Sequence, residues 1–117
     1  MRKITLVSAD GASVRLFTSA KKLNKFMRKH DLPPLDGTPY GSVFDKLFDG
    51  QLLVYIDASQ RGLELQTTLA HECVHAAVAL LKAIGEDDPG EETVACTVGN
   101  LYRHIHKLMR ATGKYKF

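Results

Sequence analysis

The stretch LELQTTLAHECVHAAVALLKAI, residues 63–84, decides how the chain is read. It holds neither glycine nor proline, and Leu65, Leu69, Val74, Val78 and Leu81 recur at helical spacing. That predicts a helix from Leu63 to about Ile84 with those residues as its apolar face. Gly85 suits its C-terminal stop. Just upstream, LLVYID at 52–57 is the strongest strand signal in the chain, and Ala58–Gly62 reads as the turn between the two.

Working outward, residues 4–8 and 12–17 alternate apolar and polar around Ala9-Asp10-Gly11, which predicts a β-hairpin. Thr18 or Ser19 caps a helix over about 19–30. Leu23, Phe26 and Met27 form its inner side, Lys21, Lys22, Lys25, Arg28 and Lys29 its wet side, and Pro33-Pro34 its end. Residues 35–42 read as a loop. Ser42–Leu47 pairs with Leu52–Asp57 through Phe48-Asp49-Gly50-Gln51. Asp88 as N-cap, Pro89 at the first position and Glu91 three after the cap open a last helix over about 89–111. Val94, Val98, Leu101, Ile105 and Leu108 form its stripe, Gly113 ends it, and the tail at 112–117 is expected to be loose. The order ββα, ββ, α, α predicts a small α+β domain, with a short antiparallel sheet packed on the 63–84 helix and the helix after it.

The bulk numbers agree with one domain over 1–117: an N-terminal hairpin, helix and loop at 1–50, a core at 51–111, and the tail. At 117 residues, 44% hydrophobic and 25% charged, the chain has ordinary globular usage. No apolar run approaches the ~18–20 residues of a membrane span, and no signal peptide is visible at Met1-Arg2-Lys3. Cys73 and Cys96 are too few for a disulfide framework; free thiols in a reducing, cytoplasmic setting are expected. A charge of +3 permits weak contact with acidic partners but, without interleaved aromatic and basic residues, does not demand nucleic acid. The basic face of the first helix, and His104, His106, Arg103, Lys107 and Arg110 on the last, read as solvated surface. His30 closes the first helix in the same way.

Within the long helix lies His71-Glu72-Cys73-Val74-His75, an HExxH. Two histidines four apart leave one face of a helix a turn apart, and can hold one zinc ion. Glu72 stands about 80° from their midline, within reach of a metal-bound water. Cys73 points away and is expected in the core. Because the flanks are nearly uncharged, the two histidines and the glutamate read as buried polar groups in need of a partner such as a metal. A catalytic zinc site takes three protein ligands and keeps one position open. Val78 and Leu81 stand where HExxHxxGxxH would need Gly and His. The next helix offers Glu91 and Glu92. Glu91 suits a capping box, while Glu92 shares a face with Ala95 and Gly99, small residues that would allow close approach to the first helix. Glu92 is therefore preferred as the third ligand.

His71-Glu72-Xaa-Xaa-His75 followed by Glu92-Xaa-Xaa-Ala95 resembles the gluzincin metallopeptidases in reduced form. It is similar to the minigluzincins and to short zincin-like proteins of phages and prophages. The resemblance covers about residues 52–106. It implies a zincin-like domain, Zn2+ as cofactor, a protein or peptide substrate, and a cleft whose upper rim is the strand before the active-site helix, here Leu52–Asp57. Such enzymes usually carry an aspartate four residues after the ligand glutamate, to orient a zinc histidine. Cys96 stands there, so Asp57 or a backbone carbonyl is expected to take that task.

The mechanism so implied is peptide hydrolysis by a metal-activated water, with Glu72 as general base. A further oxyanion donor is usual in the family. Tyr102, Tyr40 and His104 are the candidates, and Tyr102 is preferred because it lies within about 80° of Glu92 around the helix. The competing reading is a non-catalytic zinc-binding module that uses the metal as a structural clip or displays a surface to a partner protein, such as a phage or prophage accessory protein would present.

Overall fold

The structure, a computed structural model, describes residues 13–33 and 40–117, and the backbone of 3–5. Its elements are β1 (Lys3–Thr5), β2 (Ser13–Phe17), α1 (Ala20–Lys29), β3 (Gly41–Val43), β4 (Gln51–Ile56), α2 (Gly62–Ala83) and α3 (Glu91–Thr112). The four strands form one sheet in the order β1-β2-β4-β3. β1 pairs with β2 antiparallel, Ile4 opposite Val14. β3 pairs with β4 antiparallel, Ser42 opposite Tyr55. β2 and β4 are parallel, Leu16 beside Val54. The α+β class stands, but the sheet is mixed rather than antiparallel. The reason is legible in β4, buried at all six positions. A strand covered on both faces reads as a continuous apolar run, and here it takes a neighbour on each edge. The N-terminal hairpin forms as expected; its turn at Ala9–Gly11 lies outside the described residues.

Side chains alternate across the sheet and divide the interior in two. Val14, Leu16, Leu52, Val54 and Ile56 meet Leu65, Leu69, Cys73, Ala76 and Leu80 of α2 and Leu101, Ile105, Leu108 and Met109 of α3. On the other face Phe17, Leu53 and Tyr55 meet Leu23, Phe26 and Met27 of α1. Ser19 is the cap of α1: its Oγ accepts from Lys22 N at 3.3 Å. The lysines and arginine expected on the wet side of α1 are exposed.

β3 is shorter than the Ser42–Leu47 expected. Phe44 N still donates to Leu53 O at 3.1 Å, but the chain then bends at Asp45-Lys46 and regains the ladder at Phe48. There Phe48 and Gln51 exchange two bonds of 2.8 Å around Asp49 and Gly50, whose φ values of 52° and 74° make a type I′ turn.

Three expectations about the helices are corrected. In α2, Val74 and Val78 are 49% and 54% exposed, and Cys73, Ala76 and Ala77 hold the core instead. The run Ala76–Leu81 is apolar all round, so its periodicity names no side, and the small residues face inward where α2 lies against sheet and α3. α3 starts two residues late: its cap is Gly90, and no side chain bonds there. Asp88 and Pro89 are therefore outside the helix and no capping box forms. The tail is not loose. The Tyr115 hydroxyl donates to Ile56 O at 2.6 Å, and Gly62 N donates to Lys116 O at 3.0 Å, which ties the last residues to the start of α2.

Candidate metal centre

α2 presents His71 and His75 to solvent and turns Glu72 inward, at 4% exposure. The burial argument thus applies to the carboxylate and not to the imidazoles, because the histidines lie on the side of α2 that nothing described covers. The two Nε2 atoms converge to 3.2 Å, with ring centroids 4.9 Å apart. Two nitrogens bound at about 2.05 Å to one tetrahedral ion stand about 3.3 Å apart. The pair therefore has the spacing of two ligands to a single zinc; the same spacing lets one ring N–H donate to the other ring.

Glu72 lies under β3. A Cβ added at Gly41 would stand 2.9 Å from Thr68 Cγ2 and 3.0 Å from both Cγ and Oε2 of Glu72. A side chain at position 41 would collide with the glutamate, and glycine is what lets β3 come down on α2. Burial pushes the Glu72 carboxyl above its ordinary range, and the nearby His71 and His75 oppose that shift.

Gln60 fixes this arrangement. It is buried, and its Nε2 donates to Tyr40 O and Asp57 O, both at 3.0 Å, while its Oε1 accepts from the Thr68 hydroxyl. Asp57 N also donates to Tyr40 O, at 2.9 Å. One side chain thereby joins the approach to β3, the exit of β4 and the first half of α2. Sequence reasoning missed it, since a glutamine in a turn belongs to no motif and no periodicity. Beside these contacts opens a cleft of about 200 Å3 lined by Tyr40, Thr67, Thr68, His71 and Glu72.

The edge strand over Glu72 is β3, not the β4 that the resemblance implied. β4 has β2 on one edge and β3 on the other, whereas β3 is last in the sheet order and lies on Glu72.

The remaining sequence candidates fall elsewhere. Glu92 is exposed in the first turn of α3, its Oε1 3.5 Å from Cys96 Sγ. Ala95 is exposed, and a Cβ at Gly99 would meet nothing within 4 Å, so the small-residue face of α3 is not its packing face. Val98, Leu101 and Ile105 do the packing. Among the described residues no three His, Cys, Asp or Glu side chains form a group that could hold a metal ion. The structure joins His71 to His75 and adds neither Glu91 nor Glu92. Tyr102 stacks on His106 at 6.1 Å, and His106 meets Phe117 at 4.4 Å; Tyr40, not Tyr102, lines the cleft. His104 is held below its usual pKa, first by burial and then by Arg103 and Lys107. Asp57 Oδ1 accepts from Ser59 N at 2.9 Å, closing the turn after β4 rather than orienting a histidine.

Both cysteines are unpaired with each other. Cys73 is fully buried, and burial followed by the Glu72 charge pushes its thiol up to about 12. Cys96 is exposed, and its hydrogen bond to Glu92 raises it.

No family model, curated protein or solved structure matches the chain. Among the described residues no helix is long and apolar enough to cross a membrane.

Proposed function

We propose that the chain is a zinc-dependent peptidase in which His71 and His75 hold the ion and Glu72 is the general base. The observation that carries this reading is the convergence of the two Nε2 atoms to 3.2 Å beside a buried glutamate. A bound zinc supplies Lewis acidity and brings the pKa of a water toward neutrality. Glu72 takes the proton of the attacking water and returns it to the departing amine. Gln60 and Thr68 hold the chain at Tyr40 in place over that carboxylate. A substrate peptide lies in the cleft between Tyr40 and α2, and Tyr40 replaces Tyr102 as the donor to the developing oxyanion.

The gathering of only two metal-binding side chains among the described residues favours a second reading, a zinc-binding module without turnover. The test loads the protein with zinc and follows a mixture of fluorogenic peptides. Cleavage that disappears in Glu72→Gln, with zinc still bound, is the expected result. Bound zinc with no cleavage by the unaltered protein overturns the peptidase and leaves the module; no bound zinc removes both.

A further inference from the structure

We propose that a divalent cation couples two copies of this chain, α2 against α2, through His71 and His75 of each. The inference rests on the metal-holding part of the reading above and not on hydrolysis. Each chain offers two converged imidazole nitrogens at 3.2 Å, and the described residues add no third ligand. A tetrahedral ion takes four, and two copies supply four.

The surface around the pair suits that partner. Leu63, Val74 and Val78 are 80%, 49% and 54% exposed, and Thr67 and Ala70 lie exposed between them. Between Glu64 and Lys82 the one charged residue is Glu72, which is buried. The helix thus shows an uncharged stripe along one side of the two histidines, with an acid at one end and a base at the other.

The spacing of those ends selects the second copy. At 100° per residue, Glu64, His71, His75 and Lys82 fall within about 40° of one line along α2. Their midpoint is position 73 for both pairs. A two-fold axis there, with the helices antiparallel, brings the histidine pairs together. It also sets Glu64 of each copy, about 13.5 Å from the axis, beside Lys82 of the other. Both residues are exposed. Parallel helices would set like charges side by side. Asp45 and Lys46 border Lys82 and offset one another in charge.

Sedimentation velocity of the full chain, in chelator and then with zinc chloride added, tests the proposal. The expected result is a shift from 13.0 kDa to twice that mass at half a zinc per chain, reversed by chelator. His71→Ala and His75→Ala each abolish the shift; both positions are exposed, and circular dichroism checks that the fold is kept. Lys82→Glu weakens zinc-driven pairing by about tenfold, since two symmetry-related ion pairs become repulsions, and Glu64→Lys with Lys82→Glu restores it. One zinc per chain at unchanged mass overturns the pairing and leaves the metal reading standing. A mass shift that survives His71→Ala, or is indifferent to Lys82→Glu, also overturns it. Absence of zinc binding overturns the pairing and the metal reading together.

Discussion

Gly41→Ala is the most direct probe of how β3 sits on the candidate site. The added methyl would stand 2.9 Å from the Thr68 methyl and 3.0 Å from a Glu72 carboxylate oxygen, where ordinary contacts begin near 3.4 Å. Neither neighbour gives way easily. Thr68 is held by its hydroxyl on Gln60, and Glu72 is buried at 4% exposure. Overpacking of this kind costs about 1–3 kcal/mol, and for a chain of this length each kcal/mol is worth about 4 °C in Tm. The control is Gly99→Ala, in mid-helix, where a Cβ would meet nothing within 4 Å. There the substitution stabilises by about 0.5–1 kcal/mol through helix propensity. Urea unfolding of both variants, with Thr68→Ser combined with Gly41→Ala, completes the test. Thr68→Ser removes the nearest methyl and keeps the hydroxyl, so it recovers part of the Gly41→Ala loss. Equal stability of Gly41→Ala and the parent protein, or no coupling between positions 41 and 68, refutes the packing argument.

Gln60→Leu leaves the Thr68 hydroxyl without its acceptor while Tyr40 O keeps its bond from Asp57 N; a loss of about 1–3 kcal/mol in urea unfolding is expected. Tyr115→Phe removes the buried bond to Ile56 O and costs about 1 kcal/mol by the same measurement. Burial first, and then Asp57 and Tyr55, raise the Tyr115 hydroxyl above its ordinary 10.0. A raised folded-state value means that stability is fully present below about pH 10 and falls as pH rises beyond it, and the fall is shallower in Tyr115→Phe. Thiol titration with a disulfide reagent modifies Cys96 alone in the native protein and both cysteines in denaturant; native labelling of Cys73 would contradict its burial.

Much of the architecture was legible in local patterns. Thr18 or Ser19 read as a cap, Phe48-Asp49-Gly50-Gln51 as a turn and LLVYID as a strand because each is decided by groups close in sequence. What escaped was decided across the fold. The parallel pairing of β2 with β4 depends on which edge of β4 is taken, and no alternation encodes that. The inward side of α2 was misread because its second half is apolar all round, so that tertiary contact chose Ala76 and Ala77 over Val74 and Val78. At the site, HExxH placed His71, Glu72 and His75 correctly relative to one another, since helix geometry alone sets that. The reach of Glu92 depended on where α3 begins and which side it shows, and both were set by packing through Leu101 and Ile105. Gly41 and Gln60 act through distant partners and left no mark in the pattern.

The pairing of Val14 with Leu52 also shapes how the chain reaches its native state. All of α1 and β3 lies between these partners, so a long loop must close before the central pair of strands exists. The α2–α3 hairpin, by contrast, is built from near neighbours in sequence. Local pairs such as α2–α3 and β3–β4 are therefore expected to form ahead of the closure of β2 on β4, the contact with the largest loop-closure cost. Until that step is complete, the inner sides of α2 and α3 have no sheet to cover them, and the unfinished chain is most prone to aggregate in that interval.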